Sequence, residues 1–221
     1  MHKSILSHAL ALCGILSSAA SANLLLNGSF EGLSGSYSEV GGGSSAISGW
    51  TSTRSGVEWL NPSTYVPGTG DAKDGNAMVD LANQFFATGG ISQSFASTAG
   101  QQYTVTFSGA NYTYFGLSGL STIHLSIDGN AAGDYSTALA SGPLALSPWQ
   151  DFSYTFTASG SSTNLEFYND QDARSINAFL DKVDVESSAL PSVPEPGTLA
   201  MLGMGLFALG MGPAFRRFRR A

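Results

Sequence analysis

Carboxylates are the most numerous chemistry-bearing side chains in the central part of this chain. Residues 23–188 contain fifteen acidic residues against four basic ones, Arg54, Lys73, Arg174 and Lys182, so their formal charge is −11. A surface this acidic repels phosphate backbones, which argues against nucleic acid as a partner. We therefore consider three uses for the acids: metal binding, carbohydrate chemistry and hydrogen bonding within the fold.

One acid, Asp181, stands in an otherwise apolar strand. It alternates with Phe179 and Val183, which predicts that it points to the core face, whereas Lys182 points the other way and cannot easily pair with it. A bare buried charge is costly, so this carboxylate must be coordinated or hydrogen-bonded. Two alternatives stay open: a bound Ca²⁺, which takes six to eight oxygen ligands, or a cap on a backbone amide.

Catalysis has little support in the residue types. A glycosidase needs two carboxylates at a set separation across a sugar bond, and one sequence gives no such distance. The candidate acids for that reaction are Glu58, Asp80, Glu166 and Asp170. His124 is the only histidine of residues 23–188, the sole cysteine is Cys13, and no Gly-x-Ser-x-Gly elbow occurs. Zinc would need several His or Cys ligands, so the residues favour a protein that is not an enzyme.

Aromatic side chains are the other candidate binding groups, because sugars stack their CH faces on flat rings. Tyr112 and Tyr114 are two residues apart in a stretch bounded by Gly and Ser, so on a strand they would share one face. Trp59 and Tyr65 flank another segment of this kind. We predict a glycan contact at Trp59, Tyr112 and Tyr114, and core packing is the alternative for each ring.

The elements that must position these residues are short strands. Apolar residues alternate in Tyr103–Phe107, Ile123–Ile127 and Phe152–Phe156, and turn residues such as Asp128-Gly129 follow. The same reasoning predicts strands at residues 24–26, 57–60, 77–81, 91–95, 165–167 and 179–185. No stretch of residues 23–188 keeps a helical period. The sequence therefore predicts an all-β fold, a single jelly-roll β-sandwich over residues 23–188.

The first 22 residues are typical of a secretory signal peptide. Lys3 supplies the positive region, residues 5–15 are mostly apolar, and Ala20 and Ala22 give the small-x-small cleavage pattern. We predict cleavage after Ala22. The alternative is an N-terminal membrane anchor, for which the apolar run is short.

The C-terminal part has three segments in a fixed order. Residues 189–197 form a stiff linker, residues 198–215 are apolar at about the minimum length for a transmembrane helix, and residues 216–221 are basic. Arginines at one end of a span hold that end in the cytoplasm. The membrane-stop residues are Arg216, Arg217, Arg219 and Arg220. This order predicts a domain held outside the inner membrane by the C-terminal helix.

The same three-part order resembles the PEP-CTERM sorting signal of Gram-negative bacteria. The motif residues are Val193, Pro194, Glu195, Pro196 and Gly197. The resemblance implies processing near this motif by an exosortase-type membrane protease, with Glu195 as a recognition element rather than a catalyst. It also implies a host that makes extracellular polysaccharide, and a protein that passes from the inner membrane to the cell surface or extracellular matrix.

Residues 23–186 are similar to the DUF642 or choice-of-anchor family of bacterial surface proteins, which have a galactose-binding-like fold. The segments that carry the similarity include Asn27-Gly28-Ser29-Phe30-Glu31, residues 75–81, residues 90–95 and residues 179–185. The resemblance implies cell-wall or matrix association with polysaccharide and no established reaction. The alternative functions are a structural or adhesive envelope protein that binds no sugar and, third, a glycosidase.

Domains with this fold often bind a structural Ca²⁺ near the first and last strands. The resemblance places Glu31 and Asp181 at those two positions, which implies one Ca²⁺ that links the ends of a domain without disulfides. Lys182 stands where the family often has a second acid.

Overall fold

The structure is a computed structural model that describes residues 22–65, 70–83, 87–113, 119–142, 145–170, 176–188 and 205. Predictions for the signal peptide before Ala22, for Tyr114, for the sorting motif and for the basic end lie outside these residues. The predicted transmembrane segment 198–215 also lies outside them, apart from Gly205. Among the described residues, no helix has the length and apolar character needed to span a bilayer.

Strands dominate the described part of the chain, with one short helix, α1 (Pro62–Tyr65). The strands are β1 (Tyr37–Gly41), β2 (Thr51–Arg54), β3 (Gly56–Leu60), β4 (Met78–Asp80), β5 (Ala82–Asn83), β6 (Ala87–Ala96), β7 (Gln102–Thr113), β8 (Thr122–Ile127), β9 (Asn130–Ser136), β10 (Gln150–Thr157), β11 (Ser162–Tyr168) and β12 (Ile176–Ser187).

Two antiparallel sheets form a sandwich. The first sheet, here called sheet A, has the order β1-β3-β4-β12-β7-β10. The second, sheet B, has the order β2-β6-β11-β8-β9, and β5 pairs with β6 beside it. The prediction of an all-β sandwich is therefore confirmed.

Four strands, among them the two-residue β5, were not predicted, and one predicted end strand is absent. β1, β2 and β9 lack a repeated alternation of large apolar residues, so their pattern carried no strand signal. Residues 24–26 form bends rather than a strand. The Asn23 side chain holds them beside β12, because its Nδ2 donates to the Val183 carbonyl and its Oδ1 accepts the Val185 amide.

The core lies between the sheets and follows the period-two alternation of the strands. On β7 the side chains of Tyr103, Val105 and Phe107 point inward and are buried, and Phe107 packs edge-on against Phe167 of sheet B at 5.0 Å between ring centroids. Burial of each such side chain contributes about 1.5–3 kcal/mol. The buried core thus fixes which side chains of each strand are left for the outer faces.

A second, smaller apolar cluster lies on the outer face of sheet A. Its buried members are Leu60, Met78, Ala110, Tyr112 and Phe179, with Tyr37, Leu146 and Trp149 packed against them. These residues come from five neighbouring strands and from the 145–149 segment. The centre of this face is therefore closed, and polar groups border the cluster on both sides.

Candidate functional site

Asp181 and Glu31 both bind the loop of residues 71–77. Asp181 has no solvent exposure; its Oδ2 accepts the backbone amides of Lys73 at 2.7 Å and Asp74 at 2.9 Å, and its Oδ1 accepts that of Lys182 at 2.6 Å. Glu31 Oε1 accepts the amides of residues 76 and 77 at 2.6 and 2.9 Å. Two carboxylates from distant parts of the sequence therefore hold one loop by its backbone.

Gly75 makes the approach of Glu31 possible. Its φ is +68°, in the left-handed region, and a Cβ there would lie 2.3 Å from Glu31 Oε1. Any other residue would displace the carboxylate from the amides that it accepts.

A β-bulge explains how Asp181 is placed. The register of β12 shifts between Asp181 and Asp184, and Lys182 has φ +52°. The bulge reverses the alternation, so Val183 packs in the main core whereas Asp181 lies on the same side as Phe179, in the outer face of sheet A. The prediction that Asp181 points to the main core is therefore wrong, although the side chain is fully buried by the loop.

The oxygens of this pair fit amide binding. Asp181 Oδ2 takes two N–H donors, which occupies both of its lone pairs. Among the described residues, no group of three or more His, Cys, Asp or Glu side chains could hold a metal ion. A Ca²⁺ bound by Glu31 and Asp181 stays a prediction, because calcium sites also draw ligands from backbone carbonyls.

Burial also makes Asp181 a weaker acid than an exposed aspartate. Its pKa is raised from 3.8 to about 7, chiefly by loss of solvent. The three backbone amides oppose this rise, and the charge of Asp74 adds to it. The carboxylate is thus only partly ionised near neutral pH.

An open cleft lies next to Asp181 on the outer face of sheet A. Asp181 of β12, Ser108 of β7 and Asp151 of β10 are paired across the sheet in one row. A cleft of about 210 Å³ opens at this row, and we call it the Asp151 cleft. Its lining residues are Thr106, Phe107, Ser108, Asp151 and Lys182.

Asp151 is the central acceptor of this cleft. Its Oδ1 accepts the Ser108 hydroxyl at 2.6 Å and lies 3.0 Å from the Lys73 ammonium, and 68% of its side chain is exposed. These two partners hold the pKa of Asp151 below its ordinary value, the hydroxyl having the larger effect. The cleft therefore presents an ionised carboxylate to solvent, flanked by hydroxyl and ammonium donors.

The sequence analysis missed the Asp151 cleft. One feature of the sequence bears on this cleft. Lys73 and Lys182 are the only lysines of residues 23–188, and the charges of both lower the pKa of Asp151. Their meeting depends on the loop of residues 71–77 and on the bulge in β12, which are both non-local features. No spacing in the chain relates these three residues.

A row of three acids crosses the opposite side of the same face. Glu39 of β1 pairs with Glu58 of β3, which pairs with Asp80 of β4. Asp80 has no solvent exposure; its Oδ2 accepts the Asn177 amide, and its Oδ1 has no hydrogen-bond partner among the residues that the structure describes. Burial, and then the charge of Glu58, raise the pKa of Asp80 well above its ordinary value, while Asn177 opposes that rise.

Glu58 shares this environment. Burial raises its pKa, a hydrogen bond from Tyr37 partly opposes the rise, and the charge of Glu39 adds to it. The Tyr37 hydroxyl also lies 3.0 Å from Glu39 Oε1, so Glu39 and Glu58 compete for its one donor proton. Burial and neighbouring negative charge therefore both disfavour ionisation of Glu58 and Asp80.

The structure divides the four glycosidase candidates between the two sides of the sandwich. Glu58 and Asp80 meet, but Asp80 lacks the exposure that contact with a sugar bond would require. Glu166 lies in sheet B, where it accepts the Thr53 hydroxyl at 2.7 Å. Asp170 binds His124 Nε2 at 2.9 Å. This geometry contains no exposed carboxylate pair made from those four residues.

His124 faces away from the core, as its alternation with Ile123 and Leu125 predicts. Asp134 binds its Nδ1 at 2.7 Å, Asp170 binds its Nε2, and its ring stacks on Tyr168 with centroids 4.9 Å apart. Both nitrogens are therefore occupied by side chains that hold the ring in place.

The aromatic residues predicted to bind glycan are buried wherever they are described. Trp59 is 2% exposed and donates its Nε1 to the Phe30 carbonyl at 2.8 Å, so it belongs to the main core. Tyr112 is 7% exposed and packs edge-on against Phe179 at 5.9 Å. Neither ring has a free face for a sugar, which corrects the prediction for these two residues. Tyr114 lies outside the described residues.

Two family models match this chain, one over the sandwich domain and one at the C-terminal end. Residues 23–186 match the model of the family DUF642, described as a protein of unknown function, and residues 192–220 match the PEP-CTERM protein-sorting motif. A search of curated proteins finds no match.

Solved structures similar to this chain include sugar-binding modules. One is CBM61 in complex with beta-1,4-galactotriose, with 20% identity, 76% of this chain and 100% of that chain covered, and a TM-score of 0.49. Another is the CBM22-1 xylan-binding domain from Paenibacillus barcinonensis, with 19% identity, 78% and 99% covered, and a TM-score of 0.41. Because these scores are below 0.5, the fold assignment rests on the strand pairing described above.

Proposed function

This chain belongs to the DUF642 family, and on that premise we propose that it is an exported, non-catalytic surface protein whose sandwich binds extracellular carbohydrate in the Asp151 cleft. The matched PEP-CTERM motif marks it as an exported surface protein. The observation that carries the carbohydrate proposal is the cleft itself. Its polar groups are those that hydrogen-bond sugar hydroxyls.

The cleft offers both kinds of hydrogen-bonding partner that a sugar ring needs. Asp151 is an ionised acceptor with two oxygens, and Lys182 and Lys73 are donors beside it. The Thr106 and Ser108 hydroxyls can act in either sense. Hydrogen bonds to charged groups are stronger than neutral ones, so Asp151 is the expected centre of recognition.

The path to the surface follows from the chain ends. In this proposal, signal peptidase removes residues 1–22, and the apolar segment 198–215 holds the sandwich outside the inner membrane. An exosortase-type protease then cuts near Pro194-Glu195-Pro196 and releases the domain to the surface or matrix. The arrangement of an apolar segment between the motif and four arginines supports this order.

The carbohydrate proposal predicts that Asp151→Ala weakens retention of the full chain by the host's extracellular polysaccharide about tenfold, because one charged acceptor is lost. Affinity electrophoresis in gels that contain the polysaccharide measures this retention. Glu186→Ala is the matched control. It also removes one negative charge, from an exposed position of β12 on the outer face of sheet A.

Retention equal for the parent, Asp151→Ala and Glu186→Ala would contradict recognition by the cleft. A parent chain that the polysaccharide does not retain at all would contradict carbohydrate binding itself. Circular dichroism melts of each variant show whether the fold is intact.

A further inference from the structure

Strand β10 forms a free edge of sheet A. It pairs with β7 through eight consecutive residues without a bulge, and among the described residues no strand pairs with its other side. The outward backbone amides and carbonyls of this edge are therefore open to a further strand. An edge of this length is a template for association.

The edge lacks the devices that usually block such pairing. Residues 152–163 include no charged residue and no proline. The other edges of the described sheets differ. The edge strand β1 carries Glu39, and β9 carries Asp134 and has a register shift against β8. The edge strand β2 has only four residues. Among these edges, β10 alone is long, regular and uncharged over most of its length.

The core beneath this edge is incompletely covered. Phe152, Tyr154 and Phe156 face the main core but stay half-buried. On the adjacent strand β7 the inward residues, such as Val105 and Phe107, are buried. The aromatic rings of β10 therefore keep apolar surface that another element beside the edge would cover.

The order of residues in β10 is nearly the same in both directions. Phe152-Ser153-Tyr154-Thr155-Phe156 reads as aromatic, hydroxyl, aromatic, hydroxyl, aromatic about Tyr154. Antiparallel pairing of two copies about Tyr154 places Phe152 opposite Phe156 of the partner and Ser153 opposite Thr155 of the partner. Aromatic pairs and hydroxyl pairs of this kind stabilise antiparallel strands.

We propose that the β10 edges of two copies of this chain pair antiparallel about Tyr154, which joins two sandwiches through a continuous sheet. Such an interface is isologous, because each copy gives and receives the same contacts. It provides the exported domain with a way to assemble at the surface.

Charge favours this edge over the rest of the acidic surface. The only acid of β10 is Asp151, and in this pairing it lies opposite Thr157 of the partner. The two Asp151 side chains are then six residues apart along the strand, roughly 20 Å, which exceeds the screening length in physiological salt. Two domains of charge −11 can therefore meet here without facing carboxylates.

The first test introduces charge at the edge. Ser153→Lys combined with Thr155→Lys places lysines opposite lysines of the partner, and we expect dimerisation of the full chain in mild detergent to weaken at least roughly tenfold. Light scattering coupled to size-exclusion chromatography over a range of concentrations measures the protein mass. Ser94→Lys, at an exposed position of β6 in sheet B, is the control and should dimerise like the parent.

The second test is a covalent trap at the two-fold axis. Facing residues of an antiparallel pair have Cα atoms about 4.5–5.5 Å apart, which suits a disulfide. Tyr154→Cys should give a dimer on non-reducing gels, and Ala131→Cys, on the exposed edge strand β9, should not. A parent that is monomeric at all concentrations, or a double-lysine variant that dimerises like the parent, would overturn the proposal.

Discussion

Replacing Asp181 with alanine is expected to lower the free energy of unfolding by about 3 kcal/mol or more. The carboxylate accepts three backbone amides, from Lys73, Asp74 and Lys182, and each buried donor left unpaired costs about 1–3 kcal/mol. Urea denaturation followed by tryptophan fluorescence measures the loss. Asp128→Ala, in the exposed turn between β8 and β9, is the comparison and should cost less.

The role of Glu31 separates amide binding from calcium binding. Its Oε1 accepts two amides, and the amide oxygen of glutamine can do the same, so Glu31→Gln should change stability little in the presence of EGTA. A calcium ligand, however, needs the carboxylate charge. If Ca²⁺ binds, it should raise the melting temperature of the parent. It should raise the melting temperature of Glu31→Gln much less. Equal melting of the parent in Ca²⁺ and in EGTA would end the calcium prediction.

Asp80→Asn is expected to raise the free energy of unfolding at pH 8 by about 1–3 kcal/mol. Asparagine keeps an acceptor for the Asn177 amide, puts a donor where Asp80 Oδ1 lacks a partner among the described residues, and removes the cost of burying an ionisable acid. Replacement of buried charges by neutral groups of the same shape is often stabilising. Glu39→Gln, at the exposed end of the row, is the control and should have a smaller effect.

The same substitution should flatten the pH dependence of stability. Because the pKa of Asp80 is raised in the folded chain, the folded state holds a proton that the unfolded state has released above its ordinary pKa of 3.8. This group therefore favours the folded state most at low pH, and its contribution is lost as pH rises from about 4 through the folded pKa. Urea titrations from pH 5 to pH 9 measure this slope. A slope in Asp80→Asn as steep as that of the parent would contradict the assignment.

The burial of Trp59 and Tyr112 shows where aromatic patterns mislead. In a small sandwich the core takes most large rings, and local spacing does not distinguish a ring that fills the core from one that faces solvent. The described site instead uses Asp151, Ser108 and two lysines, which are ordinary surface residues in the sequence. Their significance comes from the row that β12, β7 and β10 form.

Local sequence patterns were enough to predict the all-β class and the C-terminal sorting motif. Period-two alternation predicts strands because one face of each must be buried, and the sandwich confirms this. The order of motif, apolar segment and arginines is a local pattern, so the PEP-CTERM sorting motif could be identified from it and matches.

Which acids meet, and which groups they bind, depends on the packing of the strands. The register of non-local strand pairs sets Glu58 beside Asp80 and Asp181 in the row of Asp151, and a shift of one residue reverses every side chain of a strand. The bulge at Lys182 makes such a reversal within β12. Local sequence carries little information on register or bulges, because both depend on contacts between strands that are distant along the chain.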